Sequence, residues 1–556
     1  MLMEPSDESI TDAARRRAQL EPPEQADVIL VGAGMAGLVA GAYLAQSGLR
    51  IACFDSHYTA GGCSTQFARG ARQSRFYFDV GIHYLGDCGP NGRIPRILRG
   101  AGIEQEFVPM DPDGFDIFHF PDFTFRMPVG HDRFRERLVE HFPHEIKGID
   151  RYIRFLREVD LAAHEMAASH GKINLRVLWS LLRNARILPF HQNSTMRELL
   201  DSCTRDPKLR AVLLGQHGDY ALPPSEVSAL LHAGLCNHYL HGAYYPKGGG
   251  QIIADKLAHT IEEKGGSIHL RRGIAKILIQ EGRAIGVQTE ARKGETRIIR
   301  APIVISAADY KQTMLSLVGP EHLPNGWTQR IQQAPMADAL FCTFLGIQGD
   351  LRSFGLTNAN HWLFEAYDFD EAYSILRKSP TPRSLGAYIT SASLKDPETP
   401  HHAPPGHQAL EVMTITSGSP SFWGVKPNDI TAWDYRHDPA YQANKQQMEE
   451  ALLQRLEQAF PGTQAAIVYR ESSTPVTHTR FTRASDGTSY GLAATPAQFM
   501  NNRPGFRTPL QGLYLCGVST RSGHGILGAM ESGLAVARCV TKDHKRPLFD
   551  ANTNAA

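Results

Sequence analysis

No two of the eight cysteines stand in a C-x-x-C spacing. That absence excludes a disulfide framework and the common zinc patterns, and predicts a reducing, cytoplasmic setting. The 24 histidines include no H-E-x-x-H or comparable ligand spacing, so no metal is expected. Neither sign of charge is in surplus: 58 basic against 57 acidic residues leave a net +1. Such a chain offers no global field to nucleic acid, and no nucleic-acid partner is expected. The most apolar window, residues 28–45, is broken by glycines and reads as strand, turn and helix rather than a membrane span. The first 26 residues lack the basic-then-apolar layout of an export signal and read as a mobile tail. Residues 546–556 read as a flexible end.

At 556 residues the chain is too long for one compact core. What it does contain is DVILVGAGMAG, residues 27–37, a short β-rich run closed by Gly32, Gly34 and Gly37 in the spacing G-x-G-x-x-G. LVAGAYLAQSG continues as a helix, and LRIACFD forms a second strand ending at Asp55. In that context the glycines let backbone approach a pyrophosphate at a helix N-terminus, and the acid accepts hydrogen bonds from a ribose hydroxyl.

Three further segments decide between nucleotides. Gly61 and Gly62 follow closely on Asp55 and allow a loop to pass over a ribityl-pyrophosphate. Residues 265–309 alternate as a strand, a hairpin and a strand returning to the first sheet, with Ile274 near the hairpin's start. GLYLCGVSTRSGHGILG, beginning at residue 512, runs from a strand through Gly517 into a helix starting near Gly525, whose N-terminus suits the negative N1–C2=O edge of a reduced flavin. Together these predict FAD.

The same segments, with FYFDVGIHYLGD (76–87), YYPKGGGQIIADKLAHTIEEKGGSI (244–268) and GTSYGLAATPAQF (487–499), resemble the phytoene desaturase, carotenoid isomerase and retinol saturase group of flavoproteins over residues 27–538. The resemblance implies an α/β fold: a Rossmann-type FAD-binding domain, of the glutathione-reductase-2 or dissociation-inhibitor-like kind, interleaved with a mixed-sheet and helical substrate domain. On that basis residues 27–106, 236–309 and 500–545 are assigned to the FAD domain, and 107–235 and 310–499 to the substrate domain. It also implies that Ile274 lays backbone against the adenine, and that Gly81 and its neighbours pass beside the flavin ring. Where relatives carry an acid after the glycine of the last strand, this chain has Val518, which leaves Ser519 or backbone to meet the ribityl chain. Cys63 follows the Gly-Gly pair in place of arginine and resembles the saturase and isomerase branch.

The implied activity is saturation, desaturation or cis-trans isomerisation of a carbon-carbon double bond in a hydrophobic polyene such as a carotenoid or retinoid. His83, Tyr84, Tyr490 and His524 are candidates to handle the accompanying proton, against a reading in which they only pack and hydrogen-bond. Cys63 is read as a small buried residue in preference to a reactive thiol. No second strand-coupled G-x-G-x-x-G is found, so a separate electron donor or acceptor is expected. Residues 171–190 combine leucines, Trp179 and three arginines as a basic amphipathic helix, suited either to a membrane interface or to packing on the substrate domain. Two alternatives remain on the same scaffold: a flavin amine oxidase, and a prenyl-lipid escort protein without catalysis.

Overall fold

The computed structural model describes residues 11–70, 74–169, 174–379, 381, 383–426, 430 and 434–554. Its first sheet is wholly parallel and has five strands, in the order Ser267–His269, Ile51–Phe54, Val28–Val31, Ile303–Ser306, Leu513–Leu515. Short runs such as VILV are buried throughout, as strands covered on both faces require. Along the chain between Ser267–His269 and Ile303–Ser306, residues 274–300 form a three-stranded antiparallel sheet, matching the alternation read from 265–309.

Small residues set how closely the helices approach. A Cβ on Gly41 of the helix Met35–Gln46 would lie 2.7 Å from Leu30 and Ile261 side-chain carbons. One on Gly533 of the helix Gly525–Asp543 would lie 2.4 Å from the Ala36 carbonyl. These two helices therefore pack backbone to backbone.

The second large sheet is mixed and has seven strands, ordered Ile467–Ser473, Ala339–Gln348, His407–Thr416, Ala387–Thr390, Asn360–Leu363, Asp116–His119, Thr124–Met127. Only the Asn360–Leu363 and Asp116–His119 pair runs parallel. An aromatic core including Phe118, Phe125, Tyr152 and Trp362 joins this sheet to the long helix Ile146–Ala168.

Three readings of the sequence need correction. Within the expected mobile tail, Thr11 caps a helix Asp12–Gln19, and the buried Arg17 pairs with Glu262 at 2.7 Å. Residues 1–10 lie outside the described residues. At the other end, the Phe549 N–H bonds Ser47 Oγ and the Asn552 amide donates to the Arg96 carbonyl, both at 2.9 Å. Local polarity predicted loose ends, but contacts with distant partners fasten both. The amphipathic stretch 171–190 is not one helix either. Residues 171–173 are outside the described residues, and helices Leu175–Asn184 and Leu188–His191 are separated where buried Glu158 accepts the Ile187 and Leu188 N–H groups at 2.7 and 2.8 Å. Among the described residues no helix is long and apolar enough to cross a membrane.

Candidate active site

A cavity of about 570 Å³ joins the parallel sheet to the mixed one. Gly32, Gly34, Asp55, Gly61, Gly62, Ile274, Gly517, Ser519 and Gly525 line its nucleotide-sheet side. Leu340, Leu363, Phe364, Leu385, Met413 and Ile415 line its other side. Segments scattered along the sequence thus meet in one space.

The glycine turn shows why each glycine is there. Gly32 has φ +101°, a region closed to most side chains. Gly37 lies behind the cavity wall, inside the helix, where a Cβ would meet the Gly32 carbonyl at 2.3 Å. Gly34 has open space in front of it: a Cβ there would touch nothing within 4 Å. The helices Met35–Gln46 and Gly525–Asp543 both begin on this cavity, and neither has a side-chain hydrogen bond from its cap residue, Gly34 or His524. Two sets of first-turn N–H groups, with their partial positive charge, are left for an anionic group. Asp55 accepts the Ala33 N–H at 2.7 Å and the His57 N–H at 2.8 Å, which fixes the turn while leaving further lone pairs on each oxygen. Ser519 Oγ accepts the Leu492 N–H at 3.2 Å, so its own proton remains available to the cavity. A pyrophosphate-and-ribityl group fits this set of donors.

Gly81 shows bare backbone to the cavity, but what forbids a side chain there is the Cys63 carbonyl, 3.0 Å from where a Cβ would sit. Burial raises the Cys63 thiol to about 11, which leaves it protonated and unreactive, with His478 Nε2 at 4.0 Å.

All four residues singled out for proton handling line the same cavity. His83 has an unpartnered Nδ1, and burial, aided by Lys395, lowers its pKa to about 3. Burial and then Arg503 lower His524 to about 3; neither of its ring nitrogens completes a side-chain hydrogen bond. Tyr490 packs edge-on to His524 at 5.4 Å, and Tyr84 stacks on Tyr239 at 4.1 Å. Burial pushes both Tyr490 and Tyr84 well above the ordinary phenol range. The two histidines are neutral and the two phenols firmly protonated at neutral pH.

Sequence reasoning missed the groups behind these. Tyr84 OH donates to Asp219 Oδ2 at 2.6 Å and lies 3.3 Å from Asp116 Oδ2. Asp116 is fully buried and also receives Gln216 and Asn360 amides at 2.8 and 2.9 Å. Lys395, lowered by burial to about 8, donates to the His83 carbonyl and to Asn360 Oδ1, each at 2.6 Å, and so pins the segment that carries His83 and Tyr84. The one local signal was HGD (217–219), a polar triplet between apolar runs. No group of three or more His, Cys, Asp or Glu among the described residues is arranged to hold a metal ion.

Comparison with known proteins agrees with this geometry. The chain is 27% identical over 513 residues to an all-trans-retinol 13,14-reductase of Danio rerio, covering 89% of this chain and 82% of that one. It is 25% identical to prolycopene isomerase 2, chloroplastic, of an Oncidium hybrid cultivar, covering 98% and 89%. Among solved structures, an oxidoreductase from Methanosarcina mazei shares the fold with TM-score 0.58 at 18% identity, covering 92% of this chain and 99% of that one. The profile of the flavin-containing amine oxidoreductases matches residues 35–541. With most of its length inside that match, the chain belongs to the flavin-containing amine oxidoreductase family and is an FAD-dependent oxidoreductase.

Proposed function

We propose that this enzyme acts on a carbon-carbon double bond of a hydrophobic polyene or isoprenoid, saturating or isomerising it. The observation that carries the reading is the continuity of the cavity: the glycine turns and an apolar wall of Leu340, Leu363, Phe364, Leu385, Met413 and Ile415 share one space. Such a wall recognises a long unsaturated chain by burial, at roughly 0.8 kcal/mol per CH₂ taken from water. Relatives named for retinol reduction and prolycopene isomerisation support the same substrate class.

In this reading Gly32 and Gly34 would receive the FAD pyrophosphate at the Met35–Gln46 helix N-terminus, Gly37 making the tight turn possible. Asp55 would take the adenosine ribose, Ile274 the adenine, and Gly61, Gly62 and Ser519 the ribityl region. Gly81, Gly517 and Gly525 would border the ring, with the Gly525–Asp543 helix N-terminus facing its N1–C2=O edge. Bound there, FAD supplies two-electron hydride chemistry at N5. The chain's own work is to hold the reacting carbon close, exclude water with its apolar wall, and manage one proton.

An amine substrate is less well served. It would require aromatic faces turned open toward the ring, and two of the cavity's aromatic side chains, Tyr84 and Tyr239, cover one another and offer none. Electrons would come from or go to a separate partner. The exposed apolar face of Leu175–Asn184 supports a peripheral membrane contact, and eight unpaired thiols support a reducing, cytoplasmic compartment.

The deciding experiment is anaerobic mixing of reduced and oxidised enzyme with a panel of retinoids, carotenes and amines while the flavin spectrum is followed. A polyene that rapidly changes the flavin spectrum supports the proposal. Rapid reduction by amines alone would overturn it.

A further inference from the structure

The four residues that the sequence offers for proton handling are poor acids here. His83 and His524 are neutral imidazoles, and Tyr84 and Tyr490 hold their protons tightly. Yet three of them meet at one residue, Asp219. Tyr84 OH donates to Asp219 Oδ2 at 2.6 Å, the Tyr490 phenol feels the Asp219 charge, and His524 faces the Asp219 backbone carbonyl. Asp219 lies on the 3₁₀ turn His217–Asp219, on the cavity wall, and among the described residues only its Oδ2 accepts a side-chain hydrogen bond, leaving Oδ1 free of one. With Tyr84 donating to Oδ2, the acidic proton belongs on Oδ1, the oxygen left free for the cavity.

We propose that Asp219 is the proton donor to the substrate carbon that does not receive hydride. This rests on the polyene reading above. In the saturating direction bound reduced FAD would supply hydride to one carbon of the double bond, the Asp219 O–H bond would break, and that proton would form a C–H bond at the neighbouring carbon. The π electrons of the double bond make this second C–H bond. The Asp219 carboxylate left behind is held by the Tyr84 hydroxyl until water returns a proton. A separate two-electron donor restores the reduced flavin. In the reverse direction the same carboxylate acts as base.

The surroundings favour a protonated acid at neutral pH. Burial, then the Asp116 charge, raise Asp219 to about 8, against the opposing hydrogen bond from Tyr84. The other groups that face it are Tyr220 on its own turn, Cys236 and Tyr239 on the helix Ala229–Leu240, and Tyr388 on the strand Ala387–Thr390. With Tyr84, Tyr490 and His524 these are neutral, so no cation holds Asp219 ionised. Lys395 acts instead on Asp116 and on the His83 carbonyl.

The test compares holoenzyme with Asp219→Asn and Asp219→Glu. Infrared titration should show a protonated-carboxyl C=O band that disappears near pH 8 and is missing from Asp219→Asn. Dithionite-reduced enzyme is then mixed with all-trans-retinol or prolycopene, and flavin reoxidation is followed as a function of pH. Wild type should lose rate on the alkaline side. Asp219→Asn should keep its flavin, react about 10²–10⁴-fold more slowly and show no alkaline limb. Asp219→Glu should recover part of the rate together with the limb. An Asp219→Asn rate within roughly threefold of wild type, limb intact, overturns the proposal; so does an unchanged infrared band. A wild type that converts neither probe overturns the polyene reading, and with it this role.

Discussion

Gly34 and Gly37 stand three residues apart, and a methyl group would meet open cavity at one and a carbonyl oxygen at 2.3 Å at the other. Gly37→Ala should therefore lower folding stability by about 1–3 kcal/mol, read by thermal unfolding. Gly34→Val should melt close to the apoprotein yet purify without the yellow absorbance band. A yellow Gly34→Val protein would contradict the assignment of that space. These glycines were legible because their demands are local, imposed by a strand, a turn and a helix within a dozen residues. Asp219 was not legible, because its raised pKa is made by burial and by Asp116, which is near it only in space. That raised pKa has a second readout. Folded Asp219 keeps its proton up to about 8 against an ordinary 3.8, so across that window the folded chain binds a proton that the unfolded chain has released. Stability must fall as pH rises through it. Wild type should thus lose thermal stability relative to Asp219→Asn between about pH 4 and about pH 8, and a constant difference would show that the carboxyl titrates normally.

The helix Leu175–Asn184 turns its oily side outward: Leu175 is 85% exposed, Leu182 74% and Trp179 63%, with Phe190 at 80% just beyond. Only Val177 of this helix is buried. An element that packs so little of its apolar face on its own protein leaves the kind of patch that a partner or a bilayer interface covers. Leu178→Glu with Trp179→Glu should reduce co-sedimentation with anionic vesicles and leave the flavin band unchanged; undiminished sedimentation would argue for a different occupant. Periodicity disclosed the two-faced character of this stretch. It did not disclose the break, because the cause is Glu158, nearly thirty residues away, which takes up the Ile187 and Leu188 N–H groups. The tail around Arg17 was misread for the same kind of reason: its partner, Glu262, belongs to a distant helix.

Across the whole molecule, three cavity histidines, His83, His217 and His524, are each lowered by burial to about 3. Below the ordinary value of 6.5 the unfolded chain gains protons that the folded chain refuses, so stability drains away as pH falls toward 3. Flavin fluorescence should rise on release as the pH is lowered from about 6 to about 4, and full retention at the lower value would show that these rings accept protons in place. The fold class was legible from the strand-turn-helix pieces, whereas the seven-stranded order was not, since its neighbours are set by tertiary pairing.

The parallel sheet has its own schedule. Its outer strand, Leu513–Leu515, and the helix that begins at Gly525 leave the ribosome late, some 480 residues after the glycine turn that they must face. A nascent chain stalled before that point has only part of a binding place, and its exposed apolar wall invites aggregation or chaperone capture. The space assigned to the prosthetic group is complete only once that strand and helix have been made, and FAD bound there would then stabilise the finished fold by mass action.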